Sequence, residues 1–140
     1  MDDKQKVALR KRWIETLFQF SHIEYQKQSW AGQYENHVND YTEMVCSYFD
    51  DLNLDDGYLK FMEDGLTSDV EVNIWSSFHS NLNAYTSKIE NMKPSDQEII
   101  KDSQWIELTN LAKLSWDEFK KNLRSDAEKQ MVSDIEKQYL

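Results

Sequence analysis

With 140 residues, a formal net charge of −10 and a single cysteine, the chain is long enough for one domain with a real core, has no second thiol for an internal disulfide, and carries the wrong sign for nucleic-acid phosphates. Three glycines and one proline are too few for a β-rich fold with many tight turns. No early apolar run has signal-peptide length and no stretch is long enough to span a bilayer, which together with the lone cysteine points to a cytoplasmic protein with no membrane partner.

Helical spacing dominates from the start. Over about 3–28, Leu9, Trp13, Leu17 and Phe20 form one stripe, widened by Val7, Ile14 and Phe18. Arg10, Lys11 and Arg12 take the opposite side, and "SWAG" at 29–32 reads as the exit, with Gly32 as C-terminal cap. A second helix follows from Tyr34 through Val38, Tyr41, Val45, Tyr48 and Leu52, ending near Asp51–Asn53. A short helix around Tyr58–Glu63 fits between Gly57 and Gly65.

The next start is "TSDVEV", with Ser68 or Asp69 as N-cap. Ile74, Phe78, Leu82, Tyr85, Ile89 and Met92 make its seam, and Pro94 ends it. Ser95 and Glu98 have capping-box spacing and open a short segment through Ile99 and Ile100. Trp105, Leu108, Ala112, Trp116, Phe119 and Leu123 form the third regular seam, which runs unbroken past Ser115. Ser125 and Glu128 repeat the capping-box spacing before Ala127, Met131, Ile135 and Tyr139, so the last fifteen residues are a separate helix or a kinked extension. The expected fold is all-α: residues 1–140 as a single-domain antiparallel helical bundle of four longer helices plus short ones.

The charge is not evenly spread. Residues 34–75 hold eleven acids and one lysine, and the remainder of the chain is balanced. The densest part is "YFDDLNLDDGYLKFMEDG" at 48–65. Asp51, Asn53 and Asp55 fall at positions 1, 3 and 5 of a calcium loop, but Asp56 stands where that loop needs Gly, and Glu63 comes one residue late. The alternative reading is therefore a divalent-cation (calcium) site on a degenerate EF-hand-like loop at 51–63.

Catalytic signals are weak. His22, His37 and His79 are scattered, no zinc spacing or Gly-rich phosphate loop exists, and no cofactor is implied. Cys46 reads as a small packed side chain whose acidic neighbours raise its pKa. Carboxylate pairs are too numerous to be specific. The reading is a non-enzymatic protein.

A localised acidic surface attracts a basic partner and rejects acidic ones. Asp50, Asp51, Asp55, Asp56, Glu63 and Asp64 are the acids expected to point outward together, with Asp40, Glu43, Asp69 and Glu71 extending the region. Of these, the first four would pair with Lys/Arg in a basic cleft, and Glu63, Asp64, Asp69 and Glu71 would steer and form the rim. Tyr48, Phe49, Tyr58 and Phe61 are interleaved with the acids as possible anchors.

Two stretches, "YFDDLNL" closing the second helix and "SQWIELTNLAKLSWDEFKKNL" opening a late one at Trp105, carry a family likeness. With its general layout, the chain resembles the small, acidic, all-helical immunity proteins of bacterial toxin–immunity systems, including contact-dependent growth inhibition. That resemblance implies a cytoplasmic protein that binds one cognate toxin domain, often a nuclease, and blocks its active site or an essential docking surface. These proteins share no universal binding motif, so the site residues rest on charge alone.

Overall fold

The computed structural model describes residues 1–34, 37 and 39–140. Among them are eight α-helices and no strand: α1 (Asp3–Ser21), α2 (Ile23–Trp30), α3 (Tyr41–Cys46), α4 (Leu59–Glu63), α5 (Asp69–Ile89), α6 (Asp96–Lys101), α7 (Ser103–Phe119) and α8 (Asp126–Tyr139). A π turn, Ser47–Asp51, prolongs α3, and a 3-10 turn, Lys120–Asn122, prolongs α7. The expected all-α bundle is the observed fold. The third regular seam runs down α7, which packs along both α1 and α5, while α3 and α8 rest on α1. None of the described helices is long and apolar enough to cross a membrane.

The core is aromatic. Trp13, Trp75, Trp105 and Trp116 are completely buried, together with Phe20, Phe78 and Phe119. Their rings meet mostly edge to face, as in Trp13–Phe119 (5.4 Å, 75°) and Trp75–Phe119 (5.9 Å, 68°), the arrangement that brings a positive ring edge to a negative face.

The helix expected to run through Met92 to Pro94 ends at Ile89 and leaves Met92 65 % exposed, and two further boundaries differ from the pattern-based expectation. The helix expected over 3–28 breaks at His22, whose backbone is extended (φ −131°, ψ 101°). The break is stabilised by Gln26, a fully buried side chain whose spacing gave no signal. Its Nε2 donates to the carbonyls of Gln19 (2.9 Å) and Phe20 (3.2 Å), and Trp105 Nε1 donates to its Oε1 (2.8 Å). Carbonyls left open at the end of α1 thus find a partner inside the core, where water cannot reach them. Gly32 does close α2: its φ of 74° turns the chain so that Gly32 and Gln33 donate back to Ser29 and Gln28.

The helix expected from Tyr34 begins only at Tyr41. Asp40 caps it, accepting from the Glu43 amide at 2.8 Å. Asn39, just before the cap, is held by tertiary bonds instead: Ser29 donates to the Asn39 carbonyl (3.0 Å) and Asn39 to the Tyr25 hydroxyl (3.0 Å). Tyr34 lies outside any helix, stacked on Tyr25 at 5.9 Å. Val38, the next residue of the expected seam, lies outside the described residues.

Capping boxes start α5 at Ser68 and α6 at Ser95. Ser125 starts α8 as a separate helix, but the box there is half made, because the Glu128 carboxylate is engaged elsewhere. Its partner is Arg10. The helical pattern puts Arg10 on the solvent side of α1 and Val7 in the apolar stripe; the structure buries Arg10 and leaves Val7 70 % exposed.

All five Arg10 N–H groups are used. Nη1 donates to the Leu66 carbonyl (2.7 Å) and Glu71 Oε1 (3.1 Å), and Nη2 to Glu71 Oε2 (2.7 Å) and Glu128 Oε1 (2.9 Å). Nε completes the set to Glu128 Oε2 (2.8 Å). Arg124 stands 3.8 Å from Glu71, so two cations face two carboxylates. Burial alone would lower the Arg10 pKa, but the bonds to Glu128 and Glu71 outweigh it and raise it further. Burial likewise pushes the Glu128 carboxyl up, and its bonds to Arg10 bring it below the ordinary range.

One guanidinium therefore joins α1, α5, α8 and the turn before α5. Removing one member of a buried pair leaves the other charge unmet, at a cost of roughly 3–5 kcal/mol. We predict that Arg10→Met lowers unfolding free energy by about that amount in a urea titration, and that adding Glu71→Leu recovers a large part of it. Equal losses in the single and double variants would refute this account.

Candidate functional site

Six of the eight acids predicted to meet a partner are exposed. Asp50 and Asp51 lie in the π turn, Asp55 and Asp56 in the turn before α4, Glu63 at the end of α4, and Asp69 at the start of α5. Asp51 pairs with Arg12 across the surface at 3.2 Å. The other five have no ion-pair partner among the described residues. Asp64 is half-buried and pairs with Lys60 at 3.3 Å. Glu71 does not belong to this surface. It is 2 % exposed, its carboxylate occupied by Arg10 and by the Ser68 cap, so the rim role read for it is replaced by a structural one.

What holds the acids in place is the apolar residue between each group. Along 48–61, Tyr48, Leu52, Leu54, Tyr58 and Phe61 turn into the core, while Asp50, Asp51, Asp55 and Asp56 turn out. Asn53, with φ 56°, reverses the chain after the π turn, and the Leu54 amide donates back to the Phe49 carbonyl at 3.1 Å. Of the four interleaved aromatics, Tyr48, Tyr58 and Phe61 face the core, and Phe49 is half-buried. The apolar side chain that does stand free here is Leu59, 65 % exposed and close in sequence to Asp55, Asp56 and Glu63.

Beneath the acids runs a hydrogen-bond chain. Trp13 Nε1 donates to the Tyr58 hydroxyl (3.0 Å), which lies 2.9 Å from the Tyr48 hydroxyl, itself 2.7 Å from His79 Nδ1. An indole N–H only donates and each phenol has one proton. The order that uses every phenol proton has Tyr58 donating to Tyr48 and Tyr48 donating to His79 Nδ1; the reverse order leaves the buried Tyr58 proton without an acceptor in this chain. Burial lowers the His79 pKa, in keeping with a neutral ring. Burial also lowers the His22 pKa; its Nδ1 bonds to the Phe18 carbonyl at 2.8 Å and its Nε2 is buried without a partner among the described residues. His37 bonds the Tyr25 hydroxyl through Nε2 at 2.6 Å.

The three histidines thus serve separate hydrogen-bond sets. Cys46 is exposed rather than packed, and burial together with Asp50 raises its pKa, away from nucleophilic use. Among the described residues no three His, Cys, Asp or Glu side chains form a cluster that could hold a metal ion. Leu52 and Leu54 occupy the core at alternate positions of the 51–63 loop.

No protein-family model, no curated protein and no solved structure matches this chain.

Two outcomes are expected in solution. The folded pKa values of His22 and His79 lie below the ordinary 6.5, so their stabilisation is complete above that value and is lost as pH falls through the folded values. Melting temperature should drop between about pH 7 and pH 5, with both imidazoles titrating below 6.5 by NMR; a ring titrating above it would contradict the assignment. Calcium and magnesium should shift the melting temperature equally or not at all, whereas a calcium-selective rise would favour the divalent-cation reading.

Proposed function

We propose that the protein is a non-enzymatic inhibitor that binds a basic protein partner through its acidic face, in the manner of an immunity protein neutralising a cognate toxin domain, with a nuclease the favoured case. The observation that carries this reading is the presentation of Asp50, Asp55, Asp56, Glu63 and Asp69: exposed, without ion pairs among the described residues, and mounted on a segment clamped to the core. Unpaired carboxylates repel one another, which costs stability unless a partner compensates. Their rigid backing means that little ordering cost is added on binding.

Asp50, Asp51, Asp55 and Asp56 would pair with Lys or Arg in a cleft built for phosphates. Glu63, Asp64 and Asp69 would steer encounter from the rim, and Leu59 would enter an apolar recess in the partner. Such a protein acts in the compartment where its partner would do damage, and the cytoplasm is the place we infer.

The test is capture from lysate of source cells by the wild type and by Asp50→Asn, Asp51→Asn, Asp55→Asn, Asp56→Asn combined, at low and high salt. A basic protein held by the wild type should be lost with the variant and with salt, association should slow by roughly tenfold or more, and equimolar wild type should abolish the captured protein's activity. A partner retained equally by the variant would place binding on another face.

A further inference from the structure

Between α1 and α8, bounded by the Gly65–Leu66 turn, runs an open trough of about 550 Å³. That lies within the roughly 300–1,000 Å³ of small-molecule sites. Buried Ile14 and Leu66 line its depth, and Val7, Ala127 and Met131 line its sides. Val7 is 70 % exposed on a helix whose other face is core, and it opens onto this trough. Asp50, Asp51, Asp55 and Asp56 do not line the trough, so it is distinct from the acidic face.

Its charge is opposite to that of the chain. Lys6, Lys11, Arg10 and Arg124 all reach it. Arg10 is spent on Glu71, Glu128 and the Leu66 carbonyl, whereas Lys6 and Lys11 have no ion-pair partner among the described residues. The trough's carboxylates are Asp3, in the first turn of α1, and Glu128, whose oxygens are taken by Arg10 and the Arg124 amide. An apolar channel edged by two free ammonium groups suits a ligand with a hydrocarbon chain and an anionic head. A protein partner would need far more surface, about 1,200–2,000 Å² in all.

We propose that the trough binds a small anionic amphiphile of the fatty-acid type, its chain over Val7, Ala127 and Met131 and its carboxylate met by Lys6 and Lys11. The chain supplies the non-directional term through burial of apolar surface. The ammonium groups supply the preference for an anion over an alcohol or a cation of the same length.

The test uses the full chain and dodecanoate below its micelle concentration, followed by ¹H–¹⁵N spectra and melting temperature. Saturable shifts are expected at the Val7, Ala127 and Met131 amides, with a rise in melting temperature. Lys6→Gln with Lys11→Gln should weaken affinity by about tenfold or more, as should replacing dodecanoate by 1-dodecanol. Dodecyltrimethylammonium should not produce these shifts. Val7→Glu, at an exposed position, should keep the fold and abolish them. The proposal is overturned by an absence of saturable shifts at these amides, by equal shifts from all three amphiphiles, or by unchanged affinity in either variant.

Discussion

A guanidinium out of water must have its charge and its five donors met, and at Arg10 this demand organises the bundle. It draws Glu71 from α5, Glu128 from α8 and the Leu66 carbonyl onto one side chain of α1. These groups are far apart in sequence, so the network forms only when the three helices are in register. It also redefines each member's local role. Glu71 serves both the Ser68 cap and Arg10, while Glu128 leaves the Ser125 box half made. Because a buried pair repays its desolvation only with near-complete hydrogen bonding, the network tolerates little displacement.

The acidic segment depends on the same kind of internal anchoring, supplied there by rings. Eleven acids in forty-two residues would favour an open chain if nothing opposed them. Leu52, Leu54, Tyr58 and Phe61 oppose them by entering the core between the acids, and the Trp13–Tyr58–Tyr48–His79 bonds fix their orientation. The result is a charged surface with a dry, aromatic backing.

The molecule thereby carries two surfaces of opposite character. One is acidic, set on the π turn, α4 and the start of α5. The other is an apolar trough between α1 and α8, edged by Lys6 and Lys11. The network around Arg10 stands behind the trough, and the aromatic chain stands behind the acids.

How much of this was legible in the residues follows from how local each cause is. The helices with regular seams, α5 and α7, the serine caps of α5, α6 and α8 and the Gly32 exit are written in neighbouring residues, because a cap or a helical stripe needs only positions three or four apart. The concentration of charge in 34–75 is likewise a property of composition. The break at His22, the late start at Tyr41 and the inward turn of Arg10 and Glu71 are not, since each rests on a bond to a distant residue: Gln26 with Trp105, Asn39 with Tyr25, Arg10 with Glu128. The sequence by itself determined an all-helical chain with an aromatic core and an acidic middle. Only the tertiary structure decided which acids face water and which cations are spent, because burial and pairing depend on residues brought together by the fold and not by their spacing.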